Sequence, residues 1–208
     1  MASRGRRPRL AEVRRAEPRD FPVVARLLHR SAEDMYDRFA GGSERALALL
    51  ERSLAEPGNA SSADVVWVAE LDGRVAGAMA AFPVSEAVAR SRGFLRLAMR
   101  VIGPRRWPTA LYLFWVGARA SPSPPARAFY VDALATAPGF ARRGAARALL
   151  AEAERQARTR GLPAVALDTA ISNAPARALY AGAGYSEVAY RAAGRGLPGF
   201  VALVKPLR

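Results

Sequence analysis

The segment Leu134-Ala135-Thr136-Ala137-Pro138-Gly139-Phe140-Ala141-Arg142-Arg143-Gly144-Ala145-Ala146-Arg147-Ala148-Leu149-Leu150 decides the fold. An apolar strand runs into a Pro-Gly turn, then into two arginines and a run of small residues that opens a helix. The first N–H groups of a helix lack intrahelical acceptors and lie at the positive end of its dipole. A phosphate placed there meets donors and a favourable field together. Gly144, Ala145 and Ala146 let a bulky anion approach the backbone, while Arg142 and Arg143 add formal charge. Taken alone, so short a motif fits a plain basic helix terminus equally well.

A second segment, Leu167-Asp168-Thr169-Ala170-Ile171-Ser172-Asn173-Ala174-Pro175-Ala176-Arg177-Ala178-Leu179-Tyr180-Ala181-Gly182-Ala183-Gly184-Tyr185, reads as a strand, an N-cap at Asn173 and a short helix. Pro175 sits in the first turn of that helix, and Gly184 stops it before another strand. Ala176, Leu179, Tyr180 and Ala183 share one face at helical spacing.

In this order, with a helix and a strand between them, the two segments resemble motifs A and B of the GNAT N-acetyltransferase superfamily. Motif A is matched at Leu134, Ala135, Pro138, Gly144 and Ala146. It departs at Thr136, where Val or Ile is usual, and at Ala141, where Arg or Gln is usual. One polar side chain is thereby missing, but the N–H donors, which any residue except proline supplies, are kept. Motif B is matched at Asn173, Ala176, Leu179, Tyr180 and the Gly184-Tyr185 strand start.

The resemblance implies an α/β GNAT acyl-CoA N-acyltransferase fold, a mixed sheet of about seven strands with helices on both faces. It also implies acetyl-CoA as cosubstrate, no metal, and direct attack of an amine on the thioester in a ternary complex. The pyrophosphate would lie against Arg142, Arg143, Gly144, Ala145, Ala146 and Arg147. The pantetheine arm would pair with Leu134, Ala135 and Thr136 where the fourth and fifth strands splay, and would meet Asn173. Arg177 would face a phosphate or solvent. Tyr180 falls on the family's position for the proton donor to the departing thiolate, a task suited to a phenol of pKa about 10.

Deprotonating an ammonium acceptor needs a carboxylate or a water chain leading to one. Asp132 is the charged exception on the apolar strand over 129–136, and such surroundings raise a carboxyl pKa toward neutrality. The alternative for Asp132 is an ion pair with an arginine. Glu70, Glu33 and Asp34 are weaker candidates for the base.

The 208 residues carry 32 Lys and Arg against 18 Asp and Glu, a net charge of +14, and Lys205 is the only lysine. The arginines are dispersed rather than clustered with interleaved aromatics, so nucleic acid is not expected as the primary ligand. A basic nucleic-acid-binding module is nevertheless one rival reading, and a catalytically inactive acyl-CoA sensor is another. With no cysteine there is neither a disulfide framework nor a thiol nucleophile. The single histidine, His29, leaves no His cluster for a metal and reads as an ordinary surface or interface residue. No apolar run reaches the ~18 residues that span a bilayer, and residues 1–10 are basic without the apolar core of a signal peptide. A cytoplasmic location with no membrane partner is therefore expected. The expected partner is a small-molecule amine or a peptide acceptor; a homodimer stays open.

Residues 1–10 read as a flexible basic tail before a single domain over 11–208. Its predicted elements are a strand at 13–16, a helix capped by Asp20 and reaching about residue 30, and a helix over 43–54. Strands over 64–71 and 74–82 are joined by Asp72-Gly73, the pair a tight hairpin demands. The strand over 129–136 precedes a helix over 144–160 that turns Ala145, Ala148, Leu149, Ala153, Gln156 and Ala157 inward. A strand over 163–168 and a hairpin over 185–190 and 200–204 complete the sheet. The segment 84–126 is too long for a hairpin connection and too apolar for a loop, so an insertion of one or two helices is expected. It reads either as a wall over the acceptor pocket or as added core or a dimer surface.

Overall fold

A computed structural model describes residues 11–120, 122–194 and 196–207; the basic tail lies outside them. The strands are β1 (Glu12–Arg15), β2 (Val66–Leu71), β3 (Arg74–Pro83), β4 (Ala128–Thr136), β5 (Ala164–Ala170), β6 (Ser186–Arg191) and β7 (Phe200–Pro206). They form one sheet in the order β1-β2-β3-β4-β5-β7-β6. All neighbours are antiparallel except β4 and β5. Asp72 and Gly73 both take positive φ, +52° and +73°, as the β2–β3 hairpin requires.

Alternation along the strands sends side chains to two layers. On one face Trp67, Ala69, Met79, Phe129 and Val131 meet α6 (Ala145–Thr159) through Leu149, Leu150, Ala153 and Ala157. The predicted inward face of this helix is thus observed, with Leu150 added to it and with Ala148 and Gln156 half-buried at its margin. On the other face Val66, Val68, Ala78 and Ala80 meet α1 (Phe21–Ser31) through Val24, Leu27 and Leu28, and α3 (Ser43–Ala55) through Leu50 and Leu54.

The insertion is two helices, α4 (Val84–Val101) and α5 (Trp107–Gly117). They pack on α3 and on α2 (Glu33–Ala40), a helix that the sequence reading did not anticipate. Leu97, Ala98, Ile102, Ala110 and Leu113 share this third cluster with Phe39, Ala46 and Leu49. The segment therefore enlarges the core on the α1 side of the sheet.

Two further expectations are corrected. Asp20 does not cap α1 with its side chain; its carboxylate is buried against Arg14 at 2.5 Å and accepts the Glu17 N–H at 2.9 Å. His29 is not a surface residue. It is buried, and its Nε2 lies 2.6 Å from Asp37 Oδ1, because α2 folds back over the end of α1.

Candidate active site

The parallel β4–β5 ladder is short, running only from Ala128↔Ala164 to Val131↔Leu167. Beyond it β4 stays with β3 as far as Thr136↔Gly77, and β5 stays with β7 as far as Ala170↔Phe200. The sheet therefore opens into a V. The divergence begins at a bulge. Ala80 and Ala81 of β3 pair with Ala133 and Val131, which leaves Asp132 as the extra residue on β4. A bulge of this kind bends its strand and re-aims a side chain. Leu134, Ala135 and Thr136 follow it along the edge that β5 has left, half-buried.

The turn after β4 leads to the mouth of α6. Gly144 has φ +91°, a conformation that favours glycine, and Arg142 adopts φ +59° despite its Cβ. Holding an L-residue there costs roughly 1–2 kcal/mol, and such left-handed positions next to a helix start gather successive N–H groups into an anion-binding concavity. Among the described residues the amides of Arg142, Gly144, Ala145, Ala146 and Arg147 donate to no backbone carbonyl, and α6 has no side-chain cap. These donors open onto a cleft of ≈ 630 Å³ between β4, the α6 mouth and α7 (Ala174–Ala181).

Of the sequence-predicted residues, Leu134, Ala135, Thr136, Arg142, Gly144, Ala145, Ala146, Arg147 and Tyr180 line this one cleft. Three others are engaged elsewhere. Arg143 pairs with Asp72 of the β2–β3 turn at 2.8 Å, its guanidinium 5.0 Å from the Phe140 ring centroid. Arg177 binds both oxygens of Glu187 on β6, at 2.6 and 3.0 Å, and donates to Ile171 O at 3.0 Å, which ties α7 to the sheet. Asn173 caps α7, its Oδ1 accepting from Ala176 N at 3.3 Å while its Nδ2 faces Thr169 Oγ1 at 3.3 Å. In the first two cases a carboxylate brought close by the fold takes the arginine; in the third the helix start takes the amide. Two of the alternative bases are likewise committed. Arg14 holds Glu70 at 3.0 Å, and Asp34 is an exposed partner of Arg38 at 3.6 Å. Glu33 starts α2.

Phe140, Pro175, Ala176 and Leu179 also line the cleft and were not named as site residues from the sequence. The apolar face predicted for α7, with Ala176 and Leu179 on it, was the signal that pointed to two of them.

The floor of the V is acidic. Asp132 makes no ion pair with an arginine among the described residues. Asp132 is exposed to solvent, yet protein packed around it displaces part of the water a free carboxylate would hold. That burial, followed by the nearby Asp168 charge, raises its pKa to about 7. Asp168 accepts a hydrogen bond from the Tyr130 hydroxyl. Tyr180 is buried at 6% exposure. Burial first and Asp168 second push its phenol up to about 12. Tyr36 of α2 is also raised, chiefly by burial and then by the charge of Asp132.

The family model described as "Acetyltransferase (GNAT) family" matches residues 25–185, from α1 through both cleft segments. The chain belongs to the GNAT acetyltransferase family. Solved structures agree on the fold. An N-acetyltransferase from Staphylococcus aureus Mu50 superposes with a TM-score of 0.74 at 18% identity, covering 93% of this chain and 100% of that one. A further acetyltransferase gives 0.69 at 20% identity over 95% and 100%, and SsHAT gives 0.67 at 23% over 95% and 98%. No curated protein matches the chain. GNAT membership supports acyl transfer as its general chemistry, and no helix among the described residues is long and apolar enough to cross a membrane.

Proposed function

We propose that this GNAT protein moves an acetyl group from acetyl-CoA to an amine by direct attack within a ternary complex. The observation that carries the reading is the continuity of one cleft. It runs from the unpaired amides at the α6 mouth, along Leu134–Ala135–Thr136, to Tyr180 beside the point where β4 and β5 part.

The residues present fit acetyl-CoA. A diphosphate suits a concavity built from the Gly144, Ala145, Ala146 and Arg147 amides with the Arg142 guanidinium beside it. An amide-bearing arm suits the β4 edge that has no strand opposite it. When bound, acetyl-CoA supplies a thioester whose acyl carbon an amine attacks without a covalent enzyme intermediate. The protein's part is to hold the two reactants in line, which supplies a large share of the acceleration, and to move protons.

Asp132, at the bulge just ahead of the cleft-lining Leu134, would take a proton from the ammonium acceptor through a water or directly. A base that titrates near neutrality is half-ionised at the working pH and still strong enough to accept. Tyr180 stays a neutral phenol far above neutral pH, so it donates a hydrogen bond to sulfur as negative charge leaves the acyl carbon. Full transfer from a phenol near 12 to a thiolate whose thiol titrates near ~8.5 is uphill by roughly 5 kcal/mol. Stabilising the thiolate by hydrogen bonding is thus the larger part of its role, a revision of the plain acid role implied by the motif.

Thiol release from acetyl-CoA, followed across a panel of small amines and peptide N-termini, tests the reading. Amine-dependent release supports it, and tight acetyl-CoA binding with no release for any amine favours a sensor instead.

A further inference from the structure

Trp107, Leu111, Tyr112 and Trp115 are 41%, 47%, 50% and 46% exposed, and at 100° per residue they fall on one side of α5, with Ala110, Leu113 and Val116 buried on the other. Four large apolar or aromatic side chains on one exposed face, within three turns, are unlike the isolated apolar residues that soluble surfaces tolerate.

The charge along the inserted segment itself has one sign. From Ala87 to Val131 the chain contains no Asp or Glu and eight arginines. Arg90 and Arg100 are occupied by Asp64, Glu86 and Glu56. The other six form no salt bridge among the described residues, and Arg105 and Arg119 stand exposed just before and just after α5. The Arg119 guanidinium lies 4.2 Å from the centroid of the Trp115 ring, which carries the positive charge to the edge of the apolar stripe.

The geometry points to docking of α5 on an anionic lipid bilayer surface, with Trp107, Leu111 and Trp115 in the headgroup layer and the flanking arginines on lipid phosphates. Trp and Tyr rings with arginines at the margin are the side chains that suit a bilayer interface, and an anionic leaflet attracts each nearby arginine. A second copy of the chain would set this acid-free segment against an identical one. The expectation of no membrane partner rested on the length needed to span a bilayer, whereas α5, of 11 residues, lies on the surface.

The test is sedimentation of the full chain with vesicles of phosphatidylcholine alone and with 30 mol% phosphatidylglycerol (about physiological salt), beside the double variant Leu111→Ser, Trp115→Ser. Expected is binding to the anionic vesicles at least tenfold stronger than to the neutral ones, with a blue shift of tryptophan emission, and a loss of at least tenfold in the variant. Equal binding of variant and parent would overturn the proposal, since charge alone would then explain it. So would failure to bind anionic vesicles, including the case in which the stripe instead drives self-association or retention on nucleic acid. Circular dichroism of the variant verifies that it is folded.

Discussion

Asp132 and Asp168 take the first positions past Val131↔Leu167, the last rung of the parallel ladder, so two carboxyls are close enough where the sheet opens for the charge of one to act on the other. The negative charge of Asp168 disfavours a second one on Asp132, while Tyr130 donates its hydroxyl to Asp168. The point where strand pairing stops is thereby also where a proton is held near neutral pH.

This arrangement fixes a pH signature. The folded protein keeps the Asp132 proton up to about pH 7, whereas the unfolded chain releases it near ~3.9. Between those values the native state binds the extra proton, so ionisation of Asp132 works against folding as pH rises and its full effect is present above 7. Asp132→Asn is expected to leave the melting temperature unchanged near pH 4 and to raise it above pH 7. A constant offset across that range, measured by thermal denaturation, would contradict the assignment.

Activity should follow the same group in the opposite sense. The rate of amine-dependent thiol release is expected to rise as Asp132 ionises, with a midpoint near pH 7, and to lose that limb in Asp132→Asn. A midpoint that stays put in the variant would assign the base elsewhere.

Tyr180→Phe removes a hydrogen bond to a charged sulfur and leaves the ring that packs against Tyr185. A loss of about 1.5–3 kcal/mol, roughly 10- to 100-fold in rate, is expected, with acetyl-CoA affinity unchanged. Single-turnover kinetics beside calorimetric titration separate the two effects.

The Arg14 guanidinium joins β1 to Asp20 and Glu70 at 2.5 and 3.0 Å. Burial pushes the Asp20 carboxyl up, but the bonds from Arg14 and the Glu17 N–H outweigh it, so the net pKa is lowered. The stability this supplies is present above the unfolded value near ~3.9 and lost as pH falls below it. Asp20→Ala should cost about 2–4 kcal/mol at pH 7 in urea unfolding, with the difference shrinking toward pH 2.

Gly93, inside α4, offers a reversal of sign. Glycine to alanine in a helix interior ordinarily stabilises by ~1 kcal/mol. Here an added Cβ would collide with the Gly58 carbonyl oxygen, a backbone atom that cannot swing aside. Gly93→Ala is therefore expected to destabilise by about 1–3 kcal/mol, visible as a lower melting temperature.

The legible parts of this molecule were those governed by local pattern. The β2–β3 hairpin about Asp72-Gly73 and the 3.6-residue period of α6 each follow from backbone geometry, and each stands close to where the sequence placed it. The cleft lining around Gly144 was legible because small residues at a helix start have a physical use there. What the sequence concealed was long-range. Nothing local to Arg143 or Arg177 announces that Asp72 or Glu187 will arrive beside it, and in a chain with 32 basic side chains the choice of partner is made by the fold. The same holds for His29, which reads as a surface residue until α2, itself unanticipated, folds over it. The bulge at Asp132 depends on its register with β3, which no single strand encodes.

In the proposed complex the free amides at the α6 mouth grip the diphosphate of acetyl-CoA. Amide chemical shifts of the labelled protein, titrated with acetyl-CoA, test it most directly. The prediction is large, saturable changes at Arg142, Gly144, Ala145, Ala146 and Arg147, with smaller ones at Leu134, Ala135 and Thr136. Changes that leave these amides untouched while binding still occurs would contradict it.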